Sequence, residues 1–186
     1  MSIHKLLSSG VLSLSLVAGA AFASDKAAKQ AEVVKTTQAA LERFYKAKPE
    51  LKAAVAQAPG YGIFTTYGVS FLIGGSGGTG LAHDNKTKKN TFMNVGGASA
   101  GLQLGAAQTE ILFVFKTPAA LKKFVDSGWE GTATATASAG ASGATAGRGR
   151  GETVLQDAET YTLTKNGIEA GIAVGGSKFW KDKDLN

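Results

Sequence analysis

Between Pro59 and Gly80 the chain reads Pro-Gly-Tyr-Gly-Ile-Phe-Thr-Thr-Tyr-Gly-Val-Ser-Phe-Leu-Ile-Gly-Gly-Ser-Gly-Gly-Thr-Gly. Ile63, Phe64, Val69, Phe71 and Ile73 are residue types that fill a pleated, half-buried surface. Glycines inside such a run mark bulges, sharp bends or close approaches of backbone to backbone. The block therefore predicts a sheet that bends hard over a small core. Gly75-Ser76-Gly77-Gly78-Thr79-Gly80 also satisfies the Gly-x-Gly-x-x-Gly pattern of dinucleotide sites. That chemistry needs a helix opening directly after the glycines, so that its first N–H groups hold the pyrophosphate. Leu81-Ala82-His83-Asp84-Asn85 follows instead and reads as strand end and turn, which makes the block a glycine-kinked strand.

The remaining chain reads as helices flanking more strands. Residues 25–47 carry Ala27, Ala31, Val34, Leu41 and Tyr45 at the three-to-four spacing of one helix face. Lys29 and Arg43 fall nearly opposite that stripe, with Lys26 close by. A charged face of this kind is either a solvated outer surface or a basic face that settles on an anionic membrane. Pro49 to Gln57 reads as a second short helix, proline suiting the first turn. Strands are expected at 61–67, 69–75, 78–82, 91–95, 99–107 and 109–115, with Asp84 to Asn90 as a polar hairpin turn. Thr117-Pro118 opens a third helix with a threonine cap and proline at its first position, and Ser127-Gly128 closes it. Alternating Thr and Ala from 132 to 137 suit a strand with a tight inner face. Residues 140–151 lack apolar bulk and read as a mobile loop exposing Arg148 and Arg150. Strands resume at 152–156, 158–164 and 168–175.

Met1 to Ala23 reads as a cleavable signal peptide: Lys5, then a mainly apolar stretch, then Ala21-Phe22-Ala23 as a small-residue cleavage site. The apolar stretch is interrupted by Ser8, Ser9, Gly10, Ser13 and Ser15, short of the roughly 20 apolar residues a spanning helix needs. Residues 24–186 are the size of one domain. With no cysteine in the chain there is no disulfide framework and no cysteine to acylate. These features together predict a soluble periplasmic domain, with any membrane attachment made by the folded surface.

Catalytic candidates are few. His83 is the only histidine beyond the leader, and it stands beside Asp84. A Ser-His-Asp constellation assembles in space rather than in sequence. A metal site would have to be built mainly from carboxylates, an unusual zinc donor set. Glu110, Glu130 and Glu169 either pair in a cleft or serve as caps and ion pairs. No enzyme, no cofactor and no metal is expected. Asn85-Lys86-Thr87 matches a glycosylation sequon and is set aside as a chance triplet. The formal net charge of +6 includes one leader lysine and is spread thinly, without any nucleic-acid motif. Its clusters are Lys86, Lys88 and Lys89 on one turn, Lys122 and Lys123 on the third helix, and Lys178, Lys181 and Lys183 near the end. Phe179-Trp180-Lys181 sets an amphipathic ring beside cations, as at membrane interfaces, or else docks both rings in the core.

The order of these motifs resembles the SYLF domain family, described as lipid-binding. That family carries a Gly-Tyr-x-Ile-Phe element and a glycine run, both with counterparts between Pro59 and Gly80. Gly101 to Glu110, the strand Ile111 to Phe115, the helix with Ala120, Leu121 and Phe124, Gly128-Trp129-Glu130 and Lys165 to Ile172 continue it in order. Members usually place a lysine before the Gly-Tyr element; Pro59 stands there, so that lysine's headgroup contact is not carried over. The resemblance implies a single α+β domain, a strongly bent antiparallel sheet or partial barrel with N-terminal helices and one short helix packed on it. It also implies non-catalytic binding of anionic phospholipid at a membrane surface. Relatives in eukaryotes are associated with phosphoinositides and, in some, with actin. The candidate lipid contacts are Lys26, Lys29 and Arg43, then Lys86, Lys88 and Lys89. The alternative is an envelope module that meets a protein partner through its sheet edge or the 140–151 loop.

Overall fold

A computed structural model describes residues 15–71, 73–100, 105–130, 157–164, 167–170 and 177–186. Eight strands form one antiparallel sheet in the order β5-β8-β3-β2-β1-β4-β6-β7. They are β1 (Gly60–Phe71), β2 (Ile73–Asp84), β3 (Asn90–Ala100), β4 (Gly105–Phe115), β5 (Trp129–Glu130), β6 (Ala158–Thr164), β7 (Gly167–Ala170) and β8 (Ser177–Lys181). Helices α1 (Ser15–Ala47), α2 (Glu50–Gln57) and α3 (Pro118–Ser127) pack on this sheet. The fold is the single bent-sheet α+β domain expected, a half-barrel carrying three helices. The expected elements at 132–137, 140–151 and 152–156 lie outside the described residues.

The glycines do not interrupt the strands where the sequence suggested. The segments expected at 61–67, 69–75 and 78–82 are two continuous twelve-residue strands, and β3 and β4 run eleven residues each. A glycine offers the same N–H and C=O to the ladder as any residue, so pairing on both sides carries the strand through it. The glycines instead make room. A Cβ on Gly80 would fall 2.2 Å from the Ile63 carbonyl oxygen and 2.4 Å from the Phe64 ring. One on Gly78 would fall 2.0 Å from the Thr65 carbonyl oxygen. Strand β2 thus lies closer to β1 than side chains would permit.

Alternation along the strands builds a core on each face. On one face Phe64, Met93, Val95, Ile111, Phe113 and Phe179 pack against Leu121 and Phe124 of α3. Phe64 meets Phe179 edge-on at 4.8 Å between ring centroids, and Phe113 meets Phe179 at 5.2 Å and 88°. Thr117 caps α3 as expected, its hydroxyl accepting from the Ala120 N–H at 3.1 Å. Gly128 ends it at φ 67° with its N–H on the Phe124 carbonyl. On the other face Ile63, Leu81, Leu112, Val114 and Tyr161 receive Ala40 and Phe44 of α1 and Leu51 and Val55 of α2.

Helix α1 buries a line offset from the expected stripe. Val33, Thr37, Ala40 and Phe44 are buried, Val34, Leu41 and Tyr45 are half-buried, and Ala27 and Ala31 are exposed. Alanine methyls exert little pull, so the bulk of Phe44 sets the rotation. Thr37 is tolerated inside because its hydroxyl donates to the Val33 carbonyl at 2.7 Å. The C-terminal turn tucks against the middle of α1, where Leu185 packs on Val33 and Phe92. Among the described residues no helix is long and apolar enough to cross a membrane.

Candidate functional site

The turn between β2 and β3 is built so that its lysines stay free. Asp84 accepts from the N–H groups of Lys86 and Thr87 at 2.8 and 2.9 Å, and its own carbonyl accepts from the Lys88 N–H at 2.8 Å. Those backbone bonds hold the Asp84 carboxyl below its usual range. The nearest carboxylate is therefore spent on the turn itself. Asn85 ties the turn down, its side-chain amide donating to the carbonyls of Val55 and Ala58 at 2.7 and 2.8 Å. The residue set aside as a chance sequon is thus a clamp between the turn and α2. Lys88 adopts φ 59°, the only positive φ of a non-glycine among the described residues. Lys86, Lys88 and Lys89 are all exposed, and none forms an ion pair among the described residues.

The three helix cations are placed differently. Lys26 donates to the main-chain oxygen of Asn186 at 2.8 Å, and Lys29 pairs with Asp25 one turn away at 2.7 Å. Arg43 is not a free cation on an outer face. Its Nε donates to Oε1 and Oε2 of Glu110 at 2.8 and 3.1 Å, and its Nη2 also reaches Oε1. Glu110 is 5% exposed at its side chain while Arg43 is 47% exposed, so the guanidinium roofs a buried carboxylate. These bonds raise the Arg43 pKa above its ordinary value. Gln108 adds a hydrogen bond to Glu110 at 3.2 Å. Seventeen residues of helix separate Lys26 from Arg43, about 25 Å at 1.5 Å per residue, so the expected basic face is not one patch. Lys26 does reach the start of β3, because Asn186 also binds the Phe92 N–H through its side chain at 3.0 Å.

Of the glutamates considered for a cleft, Glu110 faces α1, Glu130 meets Lys178 at the surface, 3.3 Å away, and the Glu169 side chain lies outside the described residues. His83 sits at the end of β2, its Nδ1 2.6 Å from the Asn90 side-chain oxygen and its ring 5.2 Å from Tyr61. Among the described residues no three His, Cys, Asp or Glu side chains gather as a metal site. Residues Phe179 and Trp180 divide the two readings between them: Phe179 is buried and Trp180 is 41% exposed. Alternation in β8 sends one ring to each face, a distinction that adjacent aromatics in a sequence do not announce.

Residues 96–186 match the family model described as Ysc84, Las17-binding protein actin regulator. Beta cell expansion factor A of Aeromonas veronii is 31% identical over 162 residues, which cover 86% of this chain and 60% of that protein. The chain thus spans less than two thirds of that relative's length. It carries a match to the SYLF (Ysc84) family model from β3 to the C-terminus, and its similarity to that relative extends across β1 and β2.

Proposed function

We propose that this domain binds anionic phospholipid at a membrane surface, in the periplasm, without catalysis. The observation that carries the reading is the β2–β3 turn, where three exposed lysines are held outward while the adjacent carboxylate is spent on backbone N–H groups. Near an anionic surface each lysine contributes about 1 kcal/mol, so the turn alone supplies about 3 kcal/mol of reversible attraction. Lys26 and Lys29 lie toward the start of β3 and add to the same end; Arg43 contributes least, being engaged with Glu110. The family match supports lipid or membrane interaction in general, and the named partners of relatives are theirs. The test is co-sedimentation of the purified protein with phosphatidylglycerol or phosphatidylcholine vesicles at low and high salt. Selective pelleting with phosphatidylglycerol that fades as salt rises is expected. No binding to either vesicle would overturn the reading and favour a protein-interaction module.

A further inference from the structure

Two large apolar side chains are exposed among the described residues, Tyr67 at 61% and Trp180 at 41%. They are more than a hundred positions apart in sequence, yet the register brings them to one place. Tyr67 stands opposite Gly77, Gly77 opposite Gly96, and Gly96 opposite Lys178. Trp180 is two residues along β8 from Lys178 and points to the same face. Its ring reaches over Gly96: a Cβ there would lie 3.1 Å from the ring's Cη2. Above Gly77 there is open space among the described residues, with none of their atoms within 4 Å of where a Cβ would be. The result is a bare backbone floor bounded by Tyr67 on β1 and the indole laid over β3, two strand spacings or about 10 Å apart.

The chemistry of this trough selects among occupants. Among the described residues its cations are paired, Arg43 with Glu110 and Lys178 with Glu130, and the Asp182 carboxylate is taken up by the Asn94 amide and two backbone N–H groups. Its uncharged polar groups among the described residues are Thr79 and Gln108, both exposed, and the half-buried Asn94, so a purely apolar chain would leave hydrogen-bonding groups dry. Helix α1 stands on the same face one row away, where Arg43 meets Glu110. A helix with side chains is about 10 Å thick, so a flat bilayer would meet α1 before it met the floor. A flat ligand with apolar faces and hydroxyl edges fits each constraint, because its faces stack on aromatic rings while its edges bond to Thr79 and Gln108.

We infer that the trough between Tyr67 and Trp180 is a binding site for a neutral oligosaccharide, with pyranose faces stacked on the indole. This site is separate from the lysine turn and does not depend on the lipid reading. The test titrates the purified protein with a tetramer of β-1,4-linked N-acetylglucosamine and with maltotetraose, following tryptophan emission and binding heat. Saturable binding of one of them is expected, weakened about tenfold by Trp180→Ala and by Tyr67→Ala and partly restored by Trp180→Phe. Gly77→Val fills the open floor with a residue that strands favour, so it is expected to abolish binding with a melting temperature no lower than the native one. The inference is overturned if neither saccharide binds at about 10 mM, the weak end of measurable affinity. It is equally overturned if Gly77→Val binds as tightly as the native chain. A blue shift of tryptophan emission with phosphatidylcholine vesicles, lost in Trp180→Ala and unaffected by saccharide, would assign the rings to a bilayer instead.

Discussion

Gly77 and Gly80 stand three residues apart in the same strand, and substitution by alanine should move stability in opposite directions. Neither lies in the left-handed region, so the backbone itself admits a side chain at both. At Gly80 the new methyl would be driven to 2.2 Å from the Ile63 carbonyl oxygen and 2.4 Å from the Phe64 ring, both held by the core. Relief requires β1 and β2 to separate, an overpacking cost of about 2–3 kcal/mol. At Gly77 the methyl meets nothing, and the gain from a less flexible unfolded chain is about 0.5 kcal/mol. At about 2–4 °C per kcal/mol for a chain of this length, Gly80→Ala lowers the melting temperature by about 5–10 °C. Gly77→Ala raises it by about 1–2 °C on the same scale. Thermal melts followed by far-ultraviolet circular dichroism separate these outcomes. Equal melting temperatures for the two variants would refute the claim that close strand approach, rather than bending or flexibility, is what the glycine block provides.

Other perturbations follow from the same contacts. Arg43→Ala strips the buried Glu110 carboxylate of its charged partner and should cost about 2 kcal/mol in denaturant unfolding, whereas Lys29→Ala, on the surface, should change nothing measurable. Lys88→Gly relieves a left-handed side chain and should stabilise the fold by about 1 kcal/mol while weakening vesicle binding. Burial pushes Tyr45 and Tyr161 up to about 12, so the folded state holds protons that the unfolded state releases near pH 10. Stability should therefore fall as pH rises from about 10 to 12, and Tyr45→Phe should flatten that decline in pH-dependent melts. Asp84 titrates below its usual value, so its contribution is complete above about pH 4 and lost as pH falls through the depressed value. Asp84→Ala should remove that part of the acid dependence.

What the sequence disclosed were features set by neighbours in the chain. Thr117-Pro118 and Gly128 bracket α3 because capping is decided within one turn, and the polar run at 84–90 closes its hairpin for the same reason. The continuity of the glycine strands has no local signal because it depends on partners in β1, β3 and β4, which hold the ladder where local propensity is weak. Arg43 looked like an outer cation because its partner lies 67 positions away on β4. Glu110 stands directly before the apolar run Ile111 to Phe115, the one signal in the sequence that points to a buried pair. The pairing of Tyr67 with Trp180 needs the register of four strands and has no trace in local sequence.

The proposed membrane contact through the lysine turn is tested most directly by the protein's affinity for phosphatidylglycerol vesicles. The comparison is native protein against a Lys86→Gln, Lys88→Gln, Lys89→Gln triple variant at constant low salt. Losing three lysines at about 1 kcal/mol each weakens binding about 100-fold, with the melting temperature unchanged or slightly raised. Binding of the triple variant equal to that of the native protein would rule that contact out.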